Sequence, residues 1–167
     1  RLGGIVLVRS YAPLEILRLP VPDGLFVVAV HPHCEVSTAE ARRMLADRRF
    51  ALPDIVANAG NLASMVAALH QGNLPLLGRS IDDRLVEPVR AGLIPGFAAV
   101  RRAALAAGAL GCSISGSGPT LFALAESEAD AARVAVAMRA AFDREASLQT
   151  DVWIGPVGLE GARVLPS

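Results

Sequence analysis

The sequence of 167 residues contains no lysine: its 16 basic residues are all arginine, and they balance 16 acidic residues. The absence of lysine excludes three mechanisms that need it, namely the Schiff base of pyridoxal enzymes, the Walker A phosphate loop and the strand lysine of protein kinases. Binding of a carboxylate or phosphate by a cationic side chain therefore falls to arginine, which can form two parallel hydrogen bonds to such groups.

Aromatic residues are also scarce, at 4%, and the net charge is zero. This combination argues against a nucleic-acid-binding protein, which typically presents a basic surface. The two cysteines and three histidines lack the spacing of a zinc site, so no metal is expected on the residues of this chain. The apolar runs at 25–30 and 103–112 hold only six and ten residues. A membrane-spanning helix needs about 20, so no membrane partner is expected.

The chain begins almost directly on an apolar run. Arg1-Leu2-Gly3-Gly4 contains no initiator methionine and leads into Ile5–Val8, and nothing there resembles a signal peptide. This start predicts a chain that begins inside a larger protein. The hydrophobic share of 53% is typical of a folded protein with a sizeable core.

Proline and glycine divide the chain into a short first part and a larger remainder. Two strand-like runs at 5–8 and 14–19 flank a turn at 10–13. Two prolines and an Asp-Gly pair follow between positions 20 and 24. These breaks predict a domain boundary between residues 1–22 and 23–167.

The remainder alternates strand-like and helix-like patterns. Strands are expected at 25–30, 109–115, 120–125, 150–155 and 161–165. A capping box at Ser37 predicts a helix to about residue 46, and a longer helix should bury one stripe: Ile55, Ala59, Leu62, Ala63, Val66 and Leu69. Further helices are expected after Asp82, where Pro88 breaks the pattern, after Pro95 and after Ser127.

The order of these elements is strand, several helices, hairpin, helix, strand. It predicts an α+β fold of the ferredoxin-like βαββαβ type with extra helices in the first crossover. We expect an antiparallel four-stranded sheet with helices packed on one face.

Two arginines are candidates for binding a small anion. Thr38 and Arg42 share one face of the helix that Ser37 opens, where free N–H groups and the helix dipole attract an anion. Arg90 follows Pro88, whose break in a helical pattern can turn the arginine inward. Taken alone, each pattern is more often a solvated surface arginine. We predict that the two guanidiniums approach within about 10 Å, so that one carboxylate can bridge them.

The segment Ser113-Ile114-Ser115-Gly116-Ser117-Gly118-Pro119-Thr120 is a glycine-rich turn between two expected strands. Its glycines leave backbone N–H groups open to a ligand. Because it joins two strands, it is neither a dinucleotide fingerprint nor a Walker loop. An ordinary hairpin turn would explain the glycines but not the density of serines.

Asn58 and Asn61, on the expected long helix, are expected to bond locally or to face water.

Three motifs, in this order, resemble the homoserine kinases, a family within the GHMP small-molecule kinases. They are Val36-Ser37-Thr38-Ala39-Glu40-Ala41-Arg42, Glu87-Pro88-Val89-Arg90 with Pro95-Gly96-Phe97, and Ile114 through Leu124. Residues 161–165 also resemble the end of that family. The glycine-rich motif alone indicates the superfamily, whereas the two arginine motifs together point to the homoserine kinases.

The resemblance implies that 1–22 is a strand hairpin ending an N-terminal domain and that 23–167 is the C-terminal GHMP kinase domain. It implies residues that line the homoserine site, with the two guanidiniums on the α-carboxylate: Thr38, Arg42, Arg90 and Gly116. It implies neighbours of the phosphate loop: Ser115, Ser117 and Gly118. No catalytic residue and no metal ligand is expected within this chain.

The implied reaction is transfer of the γ-phosphoryl group of ATP to L-homoserine, giving O-phospho-L-homoserine for threonine biosynthesis in the cytoplasm. ATP and Mg²⁺ would be bound mainly by an N-terminal half, since the family's Gly-Leu-Gly-Ser-Ser loop is absent from these residues. The chain alone is therefore expected to be inactive. The N-terminal half is an implied partner, and a homodimer is a further partner that the fold allows.

Two alternatives stay open. A GHMP kinase for another small alcohol, such as a mevalonate-pathway substrate, would not need two arginines for a carboxylate. A non-catalytic ferredoxin-like module could instead bind an amino acid as a regulator. An in-frame Gly-Leu-Gly-Ser-Ser motif upstream would eliminate the regulatory module.

Overall fold

The computed structural model describes residues 3–46, 48–158 and 160–161. In these ranges the strands are β1 (Ile5–Tyr11), β2 (Leu14–Leu19), β3 (Phe26–Pro32), β4 (Gly111–Ile114), β5 (Leu121–Ala125) and β6 (Thr150–Pro156). The helices are α1 (Thr38–Ala46), α2 (Leu52–Gln71), α3 (Leu74–Ser80), α4 (Glu87–Arg90), α5 (Phe97–Ala106) and α6 (Glu128–Ala146), with a 3-10 turn at Ala91–Leu93.

Four strands form one antiparallel sheet in the order β4-β5-β3-β6. In the central strand β3, Val28 lies opposite Ala123 of β5 and Val30 lies opposite Val152 of β6. This arrangement confirms the predicted ferredoxin-like fold, because its two central strands are the first and third of the βαββαβ unit.

The main core lies between one face of this sheet and helices α5 and α6. Leu121, Ala123 and Ala125 of β5 are fully buried on this face. One face of α6 packs against it, and four residues on this face are fully buried: Val134, Met138, Ala141 and Phe142. Ser127 begins α6 as predicted, since its Oγ accepts a hydrogen bond from the backbone N–H of Asp130 at 3.1 Å.

Helices α2 and α3 pack against the opposite face of the sheet, so the expectation of helices on one face is wrong. Leu69 of α2 and Leu77 of α3 form a second buried cluster with Leu25, and Leu124 of β5 packs against it. Leu124 points away from Ala123 because side chains alternate along a strand. Two layers of helix therefore enclose the sheet at its β4–β5 side.

Most of the stripe predicted to be buried on α2 is exposed. The exposed fraction is 45% for Ile55 and 52% for Leu62. The buried residues of α2 are Ala68 and Leu69, at its C-terminal end. The reason is that only the last turns of α2 reach the second cluster, where the helix contacts α3 and β2.

Among the helices of the described ranges, α2 alone has the length and apolar composition to cross a membrane. The sequence patterns had predicted no segment that is long and apolar enough for a membrane span. Its polar residues bond within the protein: Asn61 donates to the carbonyl oxygen of Asp82 at 2.7 Å, and Asn58 accepts from the backbone N–H of Arg84 at 3.0 Å. Length and composition are therefore weak evidence for a membrane span here.

The helices around Pro88 differ from those that the sequence predicts. Asp82 does not begin a helix that Pro88 breaks. Instead, Pro88 lies in the first turn of α4, where its missing N–H leaves no helical bond unmade. Helix α3, which Asn73 caps through the backbone N–H of Leu76 at 3.0 Å, was not predicted. The strand expected at 161–165 lies outside the described residues, apart from Gly161.

The predicted hairpin at the start of the chain is confirmed as a separate two-stranded sheet of β1 and β2. Ile5 and Leu19 pack against the second cluster. Five other apolar side chains of the hairpin are exposed: Val6, Val8, Tyr11, Leu14 and Leu17. The hairpin thus packs on the protein at the end that holds Ile5 and Leu19 and leaves apolar side chains exposed along the rest of its length.

Helix α3 is held against the strand segment at 110–111 by a close approach that only glycine permits. A Cβ added at Gly78 would lie 2.2 Å from the carbonyl oxygen of Leu110, whereas one added at Gly60 of α2 would meet nothing within 4 Å. We expect Gly78→Ala to lower the free energy of unfolding by about 2 kcal/mol or more. Gly60→Ala should raise it by roughly 0.5–1 kcal/mol. Chemical denaturation measures both, and equal stability of the two variants would contradict this packing.

Candidate functional site

Helix α1 begins as predicted and brings two candidate residues to the surface. The Oγ of Ser37 accepts a hydrogen bond from the backbone N–H of Glu40 at 3.2 Å. Thr38 is the first helical residue and Arg42 lies one turn later, and both side chains are exposed. Since α1 contacts α4, these residues are carried by an element that adjoins the helix of Arg90.

Helix α4 has only four residues, too few to be stable by itself, so its orientation depends on bonds from outside. The carboxylate of Asp83 supplies bonds on its N-terminal side. Its Oδ1 accepts from the backbone N–H groups of Leu85 and Val86 at 2.8 and 2.9 Å, and its Oδ2 accepts from that of Glu87 at 3.1 Å. Asp83 therefore does what had been expected of Asp82.

Arg90 and the glycine-rich turn are brought together. The Nη1 of Arg90 donates a hydrogen bond to the carbonyl oxygen of Gly116 at 2.7 Å. The Nε of Arg90 is buried and has no acceptor among the described residues. The edge of the guanidinium that contains Nε is therefore unbonded within this part of the chain. That edge has the geometry to form paired hydrogen bonds with a carboxylate.

The turn itself requires glycine at two positions. Gly116 has a φ of +60° and Gly118 a φ of +83°, both in the left-handed region. A Cβ at Gly118 would lie 2.9 Å from the Cδ1 of Ile94, while one at Gly116 would meet nothing within 4 Å. The backbone at Gly116 is thus open to an approaching ligand, as is that of exposed Ser115, whereas Ser117 and Gly118 are half-buried.

Glu87, the first residue of α4, is buried: its side chain is only 11% exposed. Its Oε2 accepts a hydrogen bond from the Oγ of Ser113 in β4, and the Nε of Arg101 lies 3.7 Å from its Oε1. Burial raises the pKa of Glu87 above its ordinary value, and the negative charges of Asp83 and Asp82 add to the rise. The bond from Ser113 and the charge of Arg101 oppose it.

The described residues include no group of three or more histidine, cysteine or acidic side chains that could hold a metal ion. His33 is instead paired with Asp151 at 3.0 Å. Cys112 is fully buried, and burial raises the pKa of its thiol to about 12, so it is a protonated core residue. These donors do not fit a Mg²⁺ site, and no chemical step is assigned to a metal on them.

The sequence patterns missed the residues that hold α4 in place. Glu87 and Ser113 both lie within motifs that had been singled out, but their contact joins positions 26 residues apart. Asn58 and Asn61 had been expected to bond locally or to face water, whereas both bond to the segment before α4. Glu87, the first residue of the motif Glu-Pro-x-Arg, was the sequence signal that could have indicated a residue holding α4 in place.

A family model described as GHMP kinases C terminal matches residues 65–144, a range that contains Arg90 and the glycine-rich turn. The chain carries a GHMP kinase C-terminal domain. A homoserine kinase of Chlorobium phaeobacteroides (strain BS1) is 47% identical over 165 residues, which are 98% of this chain and 51% of that protein. The chain thus spans about half the length of the curated relatives it matches.

Solved structures of GHMP kinases have the same fold. The crystal structure of homoserine kinase from Cytophaga hutchinsonii matches with a TM-score of 0.91 and 48% identity, over 95% of this chain and 50% of that one. Mevalonate kinase from L. major, in complex with R-mevalonate, matches with a TM-score of 0.68 over 90% of this chain and 49% of that one. Its identity is 19%, so it supports the fold alone.

The raised pKa of Glu87 predicts a pH-dependent difference in stability. A carboxyl group with a raised pKa in the folded state contributes its full stability below the unfolded pKa of about 4.3, and this contribution is lost as the pH rises through the folded value. Glu87→Gln cannot ionise but keeps an acceptor for Ser113. The melting temperature of the variant minus that of the wild type should therefore increase from about pH 4 to about pH 7. In calorimetry, a constant or decreasing difference would contradict this.

Proposed function

We propose that this chain is the substrate-clamping part of a homoserine kinase, which transfers the γ-phosphoryl group of ATP to L-homoserine in threonine biosynthesis. The observation that carries the proposal is Arg90, which is bonded to Gly116 and has an unbonded Nε edge among the described residues. It stands in the motif Glu-Pro-x-Arg, beside the helix that bears Arg42. The homoserine kinases that share 39–47% of these residues support the same substrate.

In the proposed complex, Arg42 and Arg90 hold the α-carboxylate of homoserine. Two guanidiniums suit an amino acid, because each can donate charge-assisted hydrogen bonds to a carboxylate. Thr38 contributes its hydroxyl and its place in the first turn of α1, where the helix dipole favours an anion. The backbone of Gly116 borders the same space, since it accepts the bond from Arg90.

Positioning is the contribution of this chain to the reaction. The side-chain oxygen of homoserine bonds to the γ-phosphorus as the bond from that phosphorus to the β,γ-bridging oxygen breaks, and ADP leaves. The hydroxyl proton passes to a base outside the residues of this chain. Phosphoryl transfer depends mainly on alignment and charge stabilisation, so an anchored carboxylate fixes the direction from which the hydroxyl approaches.

The nucleotide belongs to the other half of the proposed enzyme. Residues 1–22 are then the end of the N-terminal domain and residues 23–167 are the C-terminal domain. The exposed apolar side chains of the β1–β2 hairpin support this division, because an exposed apolar patch is typically covered by a partner. ATP and Mg²⁺ are bound mainly by that half, with Ser115, Ser117 and Gly118 beside the phosphates. The enzyme acts in the cytoplasm, and this chain alone is inactive.

Substitution of either arginine by lysine tests the carboxylate clamp. In the complete kinase, we expect Arg42→Lys and Arg90→Lys each to raise the KM for homoserine by about ten-fold or more, since lysine cannot form the paired bonds. The KM for ATP should change less than about two-fold, because the clamp does not touch the nucleotide. Steady-state kinetics with each substrate varied in turn measures both constants.

The matched control is Arg43→Lys, on the same exposed helix one residue further on. Its side chain points about 100° away from that of Arg42, so both KM values should remain at the wild-type level. Equal losses for the two substrates in the Arg42 and Arg90 variants would contradict the clamp.

A further inference from the structure

Two bonds join α4 to the β4–β5 hairpin. Glu87 accepts from Ser113 within strand β4, and Arg90 donates to Gly116 in the turn that follows. The spacing is three residues on each side, so the two bonds lie side by side along the helix and the hairpin. One turn of helix is thus fixed at both of its ends to the same strand and turn.

Burial of the Glu87 carboxylate lowers the stability of the folded protein. A buried carboxylate loses its hydration, and only hydrogen bonds and opposite charges compensate for that loss. Ser113 and Arg101 provide the compensation, while Asp82 and Asp83 oppose it. An apolar side chain of similar size would avoid this cost. The benefit of the carboxylate must therefore lie in the geometry that it imposes.

We propose that Glu87 is a positioning residue: through Ser113 it fixes α4 against the hairpin so that the guanidinium of Arg90 is held in place for the substrate carboxylate. This inference rests on the proposed function. The bonds of Asp83, Asn58 and Asn61 hold the segment before α4 and the first residue of the helix. Of the side-chain hydrogen bonds between α4 and the hairpin within the described ranges, only that of Glu87 is independent of Arg90.

The test is steady-state kinetics of the complete kinase with substitutions at both ends of the bond. We expect Glu87→Ala and Ser113→Ala each to raise the KM for homoserine by about ten-fold, the size of one lost hydrogen bond to a charged group. The KM for ATP should stay within about two-fold. The double variant should be no worse than the single variants, because both remove the same bond.

Two further variants separate positioning from simple loss of stability. Ser113→Thr keeps the hydroxyl and suits a strand, so it should restore the KM for homoserine to near the wild-type value. Glu128→Ala removes an exposed glutamate from the first turn of α6 and should leave both KM values unchanged. Lower melting temperatures with an unchanged KM for homoserine would overturn the proposal and leave Glu87 a purely structural residue.

A readout without substrate distinguishes this inference from the proposed function. The NMR signal of the Arg90 Nε–H group, assigned by its loss in Arg90→Lys, should shift in Glu87→Ala and in Ser113→Ala and remain in place in Ser113→Thr. If Arg90→Lys leaves the KM for homoserine unchanged, the proposed function fails. If Arg90→Lys raises that KM while neither alanine variant alters the KM or the Nε–H signal, only the positioning role of Glu87 fails.

Discussion

The attachment of α4 to the β4–β5 hairpin is the contact on which the candidate site depends. A four-residue helix has no stability of its own, so the direction of Arg90 is decided by what holds the helix. The hairpin in turn is fixed by the sheet, since β4 pairs with β5 and β5 pairs with β3. The guanidinium of Arg90 is therefore linked to the main core through the glycine-rich turn and the sheet. This series of links would give a flexible side chain the fixed position that the proposed anion clamp needs.

Periodicity predicted the sheet and α6, because there the local pattern and the tertiary environment agree. The stripe from Val134 to Phe142 is buried as its spacing requires. The same reasoning was wrong for α2, whose apolar stripe includes Ile55 and Leu62, both largely exposed. An apolar stripe predicts a buried face, but periodicity does not say which element buries it. On α2, only the last turns meet a buried cluster of the described residues.

The candidate site was predictable at the level of motifs but not of contacts. Arg90 and Gly116 were both singled out from local patterns, and the structure joins them by a hydrogen bond of 2.7 Å. The bond between Glu87 and Ser113 could not be read from spacing, because it depends on how the crossover helices return α4 to the sheet. Spacing also could not show that Asp83, and not Asp82, bonds to the backbone at the start of α4. That choice depends on how Asn58 and Asn61 of α2 hold the segment before the helix.

The central claim is that the guanidinium of Arg90, fixed on the glycine-rich turn, holds the carboxylate of the substrate. The most direct test is a crystal structure of the complete kinase with L-homoserine bound. The account predicts carboxylate oxygens within about 3 Å of nitrogens of both Arg42 and Arg90, with the Nη1 of Arg90 still bonded to the carbonyl oxygen of Gly116. A carboxylate bound elsewhere, or an Arg90 that leaves Gly116 to reach it, would contradict the account.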